Sequence, residues 1–128
     1  MTHDSQRTRF VHQRLDVYRI ALELFREVER LAEGFPRGHA DLKDQVRRAA
    51  AATVRHIAEG ANRIQPRDKA ARFMLARAEC GECDATLDMA RLVGLVSEKS
   101  LSHLQQLTGR LSAMLLGPIR RERGRTQA

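Results

Sequence analysis

The sequence predicts an all-α fold, an antiparallel up-down-up-down four-helix bundle. Three observations predict it. Apolar residues recur in steps of three and four along most of the 128 residues. Hydrophobic content is 42% with only 4% aromatics, so the core must come from Leu, Ala, Val and Met, which suits helix on helix. The periodic stretches are joined by short connections, and short connections place sequential helices as antiparallel neighbours. A chain of this length forms one domain with a sizeable core.

Helix one is expected from about Leu15 to Glu33. Leu15, Tyr18, Leu22 and Phe25 form its stripe, widened by Val17, Ile20, Ala21, Leu24, Val28 and Leu31, so that it touches two neighbours. Gly34 is expected to supply a left-handed stop, and Pro36 prevents continuation. Asp41 is expected to cap helix two and to favour its positive end. Helix two runs to about Ala61 and carries a thin face of small residues: Ala49, Ala50, Thr53, Ile57 and Ala61. Small side chains let a neighbouring helix come close. Pro66 suits the first turn of helix three, which runs from about 66 to 93. Its seam is Phe73, Ala76, Cys80, Cys83, Leu87 and Ala90, and Gly94 can end it. Ser97 reads as the cap of helix four. Leu101, Leu104, Thr108, Leu111 and Leu115 repeat the seam, with Leu107 and Met114 beside it, and Gly117-Pro118 is expected to stop the helix. The domain organisation is therefore a flexible basic arm over 1–13, a bundle over 14–117 and a basic tail over 118–128.

The charge concerns partners. Net charge is +7 and the pI near 10.6, which favours a polyanion. Arg47, Arg48, Arg55 and Arg63 ride helix two, followed closely by Arg67, Lys69, Arg72 and Arg77. Some of these are structural, with Arg47 or Arg48 answering Glu59 or Glu82. The tail sets Arg120, Arg121, Arg123 and Arg125 against Glu122 alone, as in a phosphate-binding arm. Aromatic stacking platforms are nearly absent, so nucleic-acid contact should be backbone-directed with little base readout. No run reaches the roughly 20 apolar residues of a membrane span. Met1 to Phe10 lacks the apolar segment of a signal peptide, so a cytoplasmic protein without membrane contact is the expectation.

Five segments together resemble a known family. They are Leu15-Asp16-Val17-Tyr18-Arg19-Ile20-Ala21, then Phe35-Pro36, then Gln45-Val46-Arg47-Arg48-Ala49-Ala50 with Ile57-Ala58-Glu59-Gly60-Ala61-Asn62-Arg63, then Ala76-Arg77, then Glu82-Cys83-Asp84 leading to Leu87. In this order they resemble the bacterial four-helix bundle family named after proteins encoded in 23S ribosomal RNA intervening sequences, over roughly residues 14 to 117. The family usually carries Gly-Ser where this chain has Ala78-Glu79, with its glycine at Gly81, which leaves the place of the close helix contact open over a few residues. The resemblance implies a homo-oligomer, a ring-forming pentamer. It also implies kinship with the accessory variability determinants of diversity-generating retroelements, basic bundles that work with a reverse transcriptase and its RNA. The family name reports where some genes sit, not an activity.

Enzyme chemistry is poorly supported by the residues. Cys80-Gly81-Glu82-Cys83 has C-x-x-C spacing but lies mid-helix on the seam, without the strand and helix N-terminus of a redox dithiol. Buried cysteines of this kind act as small hydrophobes. A zinc site needs about four ligands, and there is no second cysteine pair. His56 and Glu59 lie three apart, but in the reverse order of the di-iron motif and only once. Glu59 should pair with an arginine, and Glu82 and Asp84 should meet arginines of helix two or of a neighbouring subunit. The expectation is a non-enzymatic, pentameric basic bundle that binds RNA or DNA electrostatically, in reach of a reverse transcriptase, with no catalytic residue, cofactor or metal. The nucleic-acid contacts are assigned to Arg47, Arg48, Arg55, Arg63, Arg120, Arg121, Arg123 and Arg125. The alternative is a ring-forming module that binds an acidic protein, with charge serving to steer it.

Overall fold

The structure is a computed structural model and describes residues 10–127; the arm residues 1–9, with Arg7 and Arg9, lie outside it, as does Ala128. Four long helices make up the fold: α1 (Asp16–Glu33), α2 (Ala40–Asn62), α3 (Pro66–Leu92) and α4 (Glu98–Gln127). A 3-10 turn over Val11–Arg14 precedes them and another, Arg37–His39, leads into α2. No strand occurs among the described residues. Polar pairs fall in opposite order along sequential helices. Arg77 reaches Ser112, Cys80 reaches Thr108 and Gln105 reaches Asp88 between α3 and α4. Arg48 meets Glu79 and Arg72 meets Glu59 between α2 and α3. This packing is compatible with an antiparallel arrangement.

One core runs the length of the bundle. Leu24, Val28, Val46, Ile57, Phe73, Leu87, Leu111 and Leu115 are fully buried in it. Each large apolar side chain buried this way contributes about 1.5–3 kcal/mol. The seams of α2 and α3 lie where the spacing predicts. That of α1 is rotated: Val17, Ala21, Leu24, Val28 and Ala32 are buried, whereas Leu22 is exposed. The α1 stripe is broad enough for several centres to fit its periodicity, and only packing selects one.

Helix ends up to the start of α4 obey local chemistry with two exceptions. Pro66 opens α3, and the Ser97 hydroxyl accepts the Ser100 amide at 3.1 Å. Gly94 follows α3 at φ +83°, a conformation in which a Cβ is strained. Gly34, however, stays right-handed at φ −83°, and α1 closes through Gly34 N donating to Leu31 O at 3.1 Å. Asp41 does not cap α2: the helix starts at Ala40, His39 holds the cap position without a side-chain bond, and Asp41 contributes only charge in the first turn. The basic arm also begins to fold before the bundle. His12 Nδ1 lies 2.7 Å from Asn62 Nδ2, and the His12 ring stands edge-on to Tyr18.

The largest departure lies in the tail. α4 does not stop at Gly117-Pro118 but continues through Pro118 to Gln127. An internal proline removes one helical hydrogen bond and costs about 3 kcal/mol. Burial of Ile119 offsets about 1.5–3 kcal/mol of that. Glu122 then occupies the next seam position, 1% exposed, with Arg121 and Arg125 folded onto its two oxygens. The seam therefore extends past the proline in a disguised form, because one of its members is a neutralised acid.

The tightest packing is at Gly60. A Cβ there would sit 2.8 Å from the ring of Phe73, whose side chain is fully buried and has no room to move. A Cβ on Gly81 would meet nothing within 4 Å, so the close helix contact belongs to α2. Gly60→Ala is expected to destabilise the fold. Overpacking costs about 1–3 kcal/mol, which exceeds the gain in helix propensity of about 1 kcal/mol. Phe73→Leu in the same chain should recover part of the loss, as measured by denaturant unfolding of the single and double variants.

Candidate nucleic-acid interface

The arginines at the start of α2 have partners inside the fold. Arg47 Nε donates to Glu29 Oε1 of α1 at 3.0 Å, and this hydrogen bond, followed by the Glu29 charge, raises the Arg47 pKa. Arg48 lies 3.4 Å from Glu79 and 3.6 Å from Glu82 on α3. Glu79 is the better buried of the two carboxylates. Burial raises its pKa most, then a hydrogen bond with Glu82 and the Glu82 charge, against the pull of Arg48. Asp84 meets no arginine among the described residues; it accepts the Thr108 hydroxyl at 2.7 Å. Arg55, two turns further along α2, is exposed and forms no ion pair among the described residues.

Around the α2–α3 turn the balance shifts towards free cations. Arg72 binds Glu59 at 3.3 Å, and His56 stands 3.6 Å from the same carboxylate with a buried Nδ1 that has no hydrogen-bond partner among the described residues. Lys69 ties the turn together, donating to the carbonyls of Ala61 at 2.7 Å and Arg63 at 2.9 Å. Its charge therefore sits at the end of α2, where the helix dipole is negative. The Arg63 and Arg67 side chains project from this turn, exposed and without an ion pair among the described residues.

α4 brings the tail arginines to α3. Arg121 and Arg125 are held by Glu122 at 3.2 and 3.0 Å. Arg120 and Arg123 are exposed and have no carboxylate partner among the described residues. Arg123 and Arg67 line a common cleft of about 340 Å³ with Ala70, Ala71, Met74 and Thr126. The structure thus sorts the arginines singled out in the sequence. Arg47, Arg48, Arg121 and Arg125 are engaged within the bundle, whereas Arg55, Arg63, Arg120 and Arg123 face outward. Arg67 joins the second group through a meeting of α3 with α4 that no local spacing encodes.

The model of the 23S rRNA-intervening sequence protein family matches residues 13–117. The chain belongs to that family. No curated protein matches it. In this family member the matched region covers the four helices up to the Gly-Pro step, and the basic extension of α4 lies beyond it.

Cys80 and Cys83 are free and buried, and burial pushes their thiols up to about 11 and about 12. Among the described residues no group of three or more His, Cys, Asp or Glu side chains is arranged to hold a metal ion. No helix among them is long and apolar enough to cross a membrane.

Two measurements check this charge map. Thiol-specific reagents at neutral pH should label Cys80 and Cys83 only as the protein unfolds, since little thiolate exists in the fold. For Glu79, a raised native pKa means the native state binds more protons than the unfolded one. Its contribution to stability is present in acid and is lost as pH rises through the raised native value. Glu79→Gln should therefore gain stability relative to wild type at pH 7 and show no gain at pH 4, in denaturant titrations at both pH values.

Proposed function

We propose that the protein is a non-enzymatic, oligomeric basic bundle that binds nucleic acid through phosphate contacts at one end. With up-down-up-down packing, the C-terminus of α2, the N-terminus of α3 and the C-terminus of α4 share that end. The observation that supports this most is the set of outward arginines Arg63, Arg67, Arg120 and Arg123, none with a carboxylate partner among the described residues. Arginines already paired have little left to offer a phosphate; unpaired ones release counterions when they meet it. A ring of copies, five by the family resemblance, would multiply these contacts and let weak ones act together. Service to a reverse transcriptase and its RNA is the narrowest form of this reading and rests on that resemblance.

A second reading is favoured by α3. Beyond its core seam it carries a second apolar strip, with Met74, Leu75, Met89 and Leu92 exposed beside Ala78 and Ala85. Such a surface suits a protein contact, either between copies of the ring or with an acidic protein partner. Light scattering at micromolar concentration should give a mass near five chains, and a monomer would remove the ring from both readings.

The binding test is a salt titration with RNA and with DNA. The observed affinity should fall linearly with the logarithm of salt concentration. Arg63→Gln and Arg120→Gln should each lower that slope by about 0.7 on single strands. Arg47→Gln should leave it nearly unchanged, because that side chain is spent on Glu29. Absence of binding to either nucleic acid at low salt would discard the reading in favour of the acidic-protein partner.

A further inference from the structure

The cleft between the start of α3 and the end of α4 has the chemistry of a ligand site. Arg67 and Arg123 enter it from different helices, and among the described residues no acidic side chain lines it. Two guanidinium groups facing one space repel each other until an anion separates them. Its remaining walls are Ala70, Ala71, Met74 and Thr126, so beside the charge lies an apolar surface. The Thr126 hydroxyl is already committed to the Glu122 carbonyl at 3.0 Å. Position matters as much as composition. Arg123 follows directly on Glu122, which is buried in the α4 seam, and Arg67 lies in the first turn of α3, so both stems are fixed by the bundle. The larger cleft between α1 and α4, about 410 Å³, contrasts with it. There Glu27 sits within 3.4 Å of Arg30 and 3.9 Å of His103, and the site supplies its own counter-charge.

We propose that the Arg67–Arg123 cleft seats one nucleotide of a single-stranded nucleic acid, its phosphate bridging the two arginines and its sugar and base lying on Ala71 and Met74. This deepens the nucleic-acid reading above and rests on it. A phosphate offers several acceptor oxygens and satisfies guanidinium groups arriving from two directions. The volume, about 340 Å³, is at the small end of ligand pockets and admits one nucleotide. A duplex is a stiff rod with its bases stacked inside, and it cannot lower a sugar and base into a recess. A single strand bends freely and can. The apolar wall carries no hydrogen-bonding pattern, so the seat accepts any base.

The test uses the full chain at low salt with three probes: adenosine 5′-monophosphate, a single-stranded oligoribonucleotide and a duplex of the same sequence. Affinity is read by titration, and occupancy of the cleft by the NMR signals of the Met74 methyl group and the Arg67 and Arg123 Nε–H groups. The single strand should bind more tightly than the duplex and move all three signals. Arg67→Gln and Arg123→Gln should each weaken it about tenfold. The double variant should be little worse than either, because both side chains hold one phosphate. Both positions are exposed, and unchanged circular dichroism of the variants confirms intact folding. Binding of the strand with the cleft signals unmoved, or equal binding of strand and duplex, would overturn the seat and leave the nucleic-acid reading standing. Movement of the signals by adenosine monophosphate alone, with no strand bound, would overturn both and mark a site for free nucleotides. Independent, multiplying losses in the two arginine variants would overturn the shared phosphate.

Discussion

The contact between Gly60 and the Phe73 ring sets the distance between α2 and α3, and much of the remaining structure follows from that distance. Phe73 is one of the few aromatic side chains in the chain and is wholly buried, so it needs a neighbour with no side chain at all. Gly60 supplies it in the last turn of α2. The cost of glycine inside a helix, about 1 kcal/mol, is smaller than the burial of a large aromatic ring returns. With the helices this close, side chains flanking the contact pair across it: Arg72 with Glu59, Lys69 with the last α2 carbonyls, and Arg48 with Glu79 and Glu82. The turn carrying Arg63 and Arg67 is held in place by the same closeness.

That geometry also decides which charges face outward. A strongly basic chain can pair its cations internally or leave them exposed, and this bundle does both in different places. Towards the start of α2 the carboxylates of α1 and α3 are within reach, so Arg47 and Arg48 are satisfied. Around the α2–α3 turn and the end of α4, Glu59 and Glu122 are already occupied by Arg72, Arg121 and Arg125, and Asp68 is the acid that stands exposed in the first turn of α3. The polarity of the surface is thus a consequence of where carboxylates fall on the helices rather than of where arginines do.

The fold was largely legible in the sequence because helix periodicity and turn residues are local signals. The α3 seam, the small face of α2, Pro66, Gly94 and Ser97 stand where spacing puts them. What was not legible depends on tertiary balance. Pro118 is a helix breaker by every local rule, and only the burial of Ile119 and Glu122 keeps α4 going. Gly34 looks like a left-handed stop but is not forced to be one, since a tighter last turn ends α1 equally well. The candidate site was legible only in part. Composition and runs of Arg point to positive charge, but whether a given arginine is spent depends on carboxylates distant in sequence, such as Glu29 for Arg47. The pairing of Arg67 with Arg123 needs the continued α4, which the Gly-Pro step conceals.

The central claim is therefore that the basic end is a rigid wall of the bundle and not a loose arm. Amide hydrogen exchange along α4 tests it most directly. The account predicts protection of the amides from Ile119 to about Arg125 that approaches that of Leu104 to Leu115, fading only at the last turn. Exchange of everything beyond Pro118 at the rate of an unstructured chain would contradict it, and with it the fixed placement of Arg123 opposite Arg67.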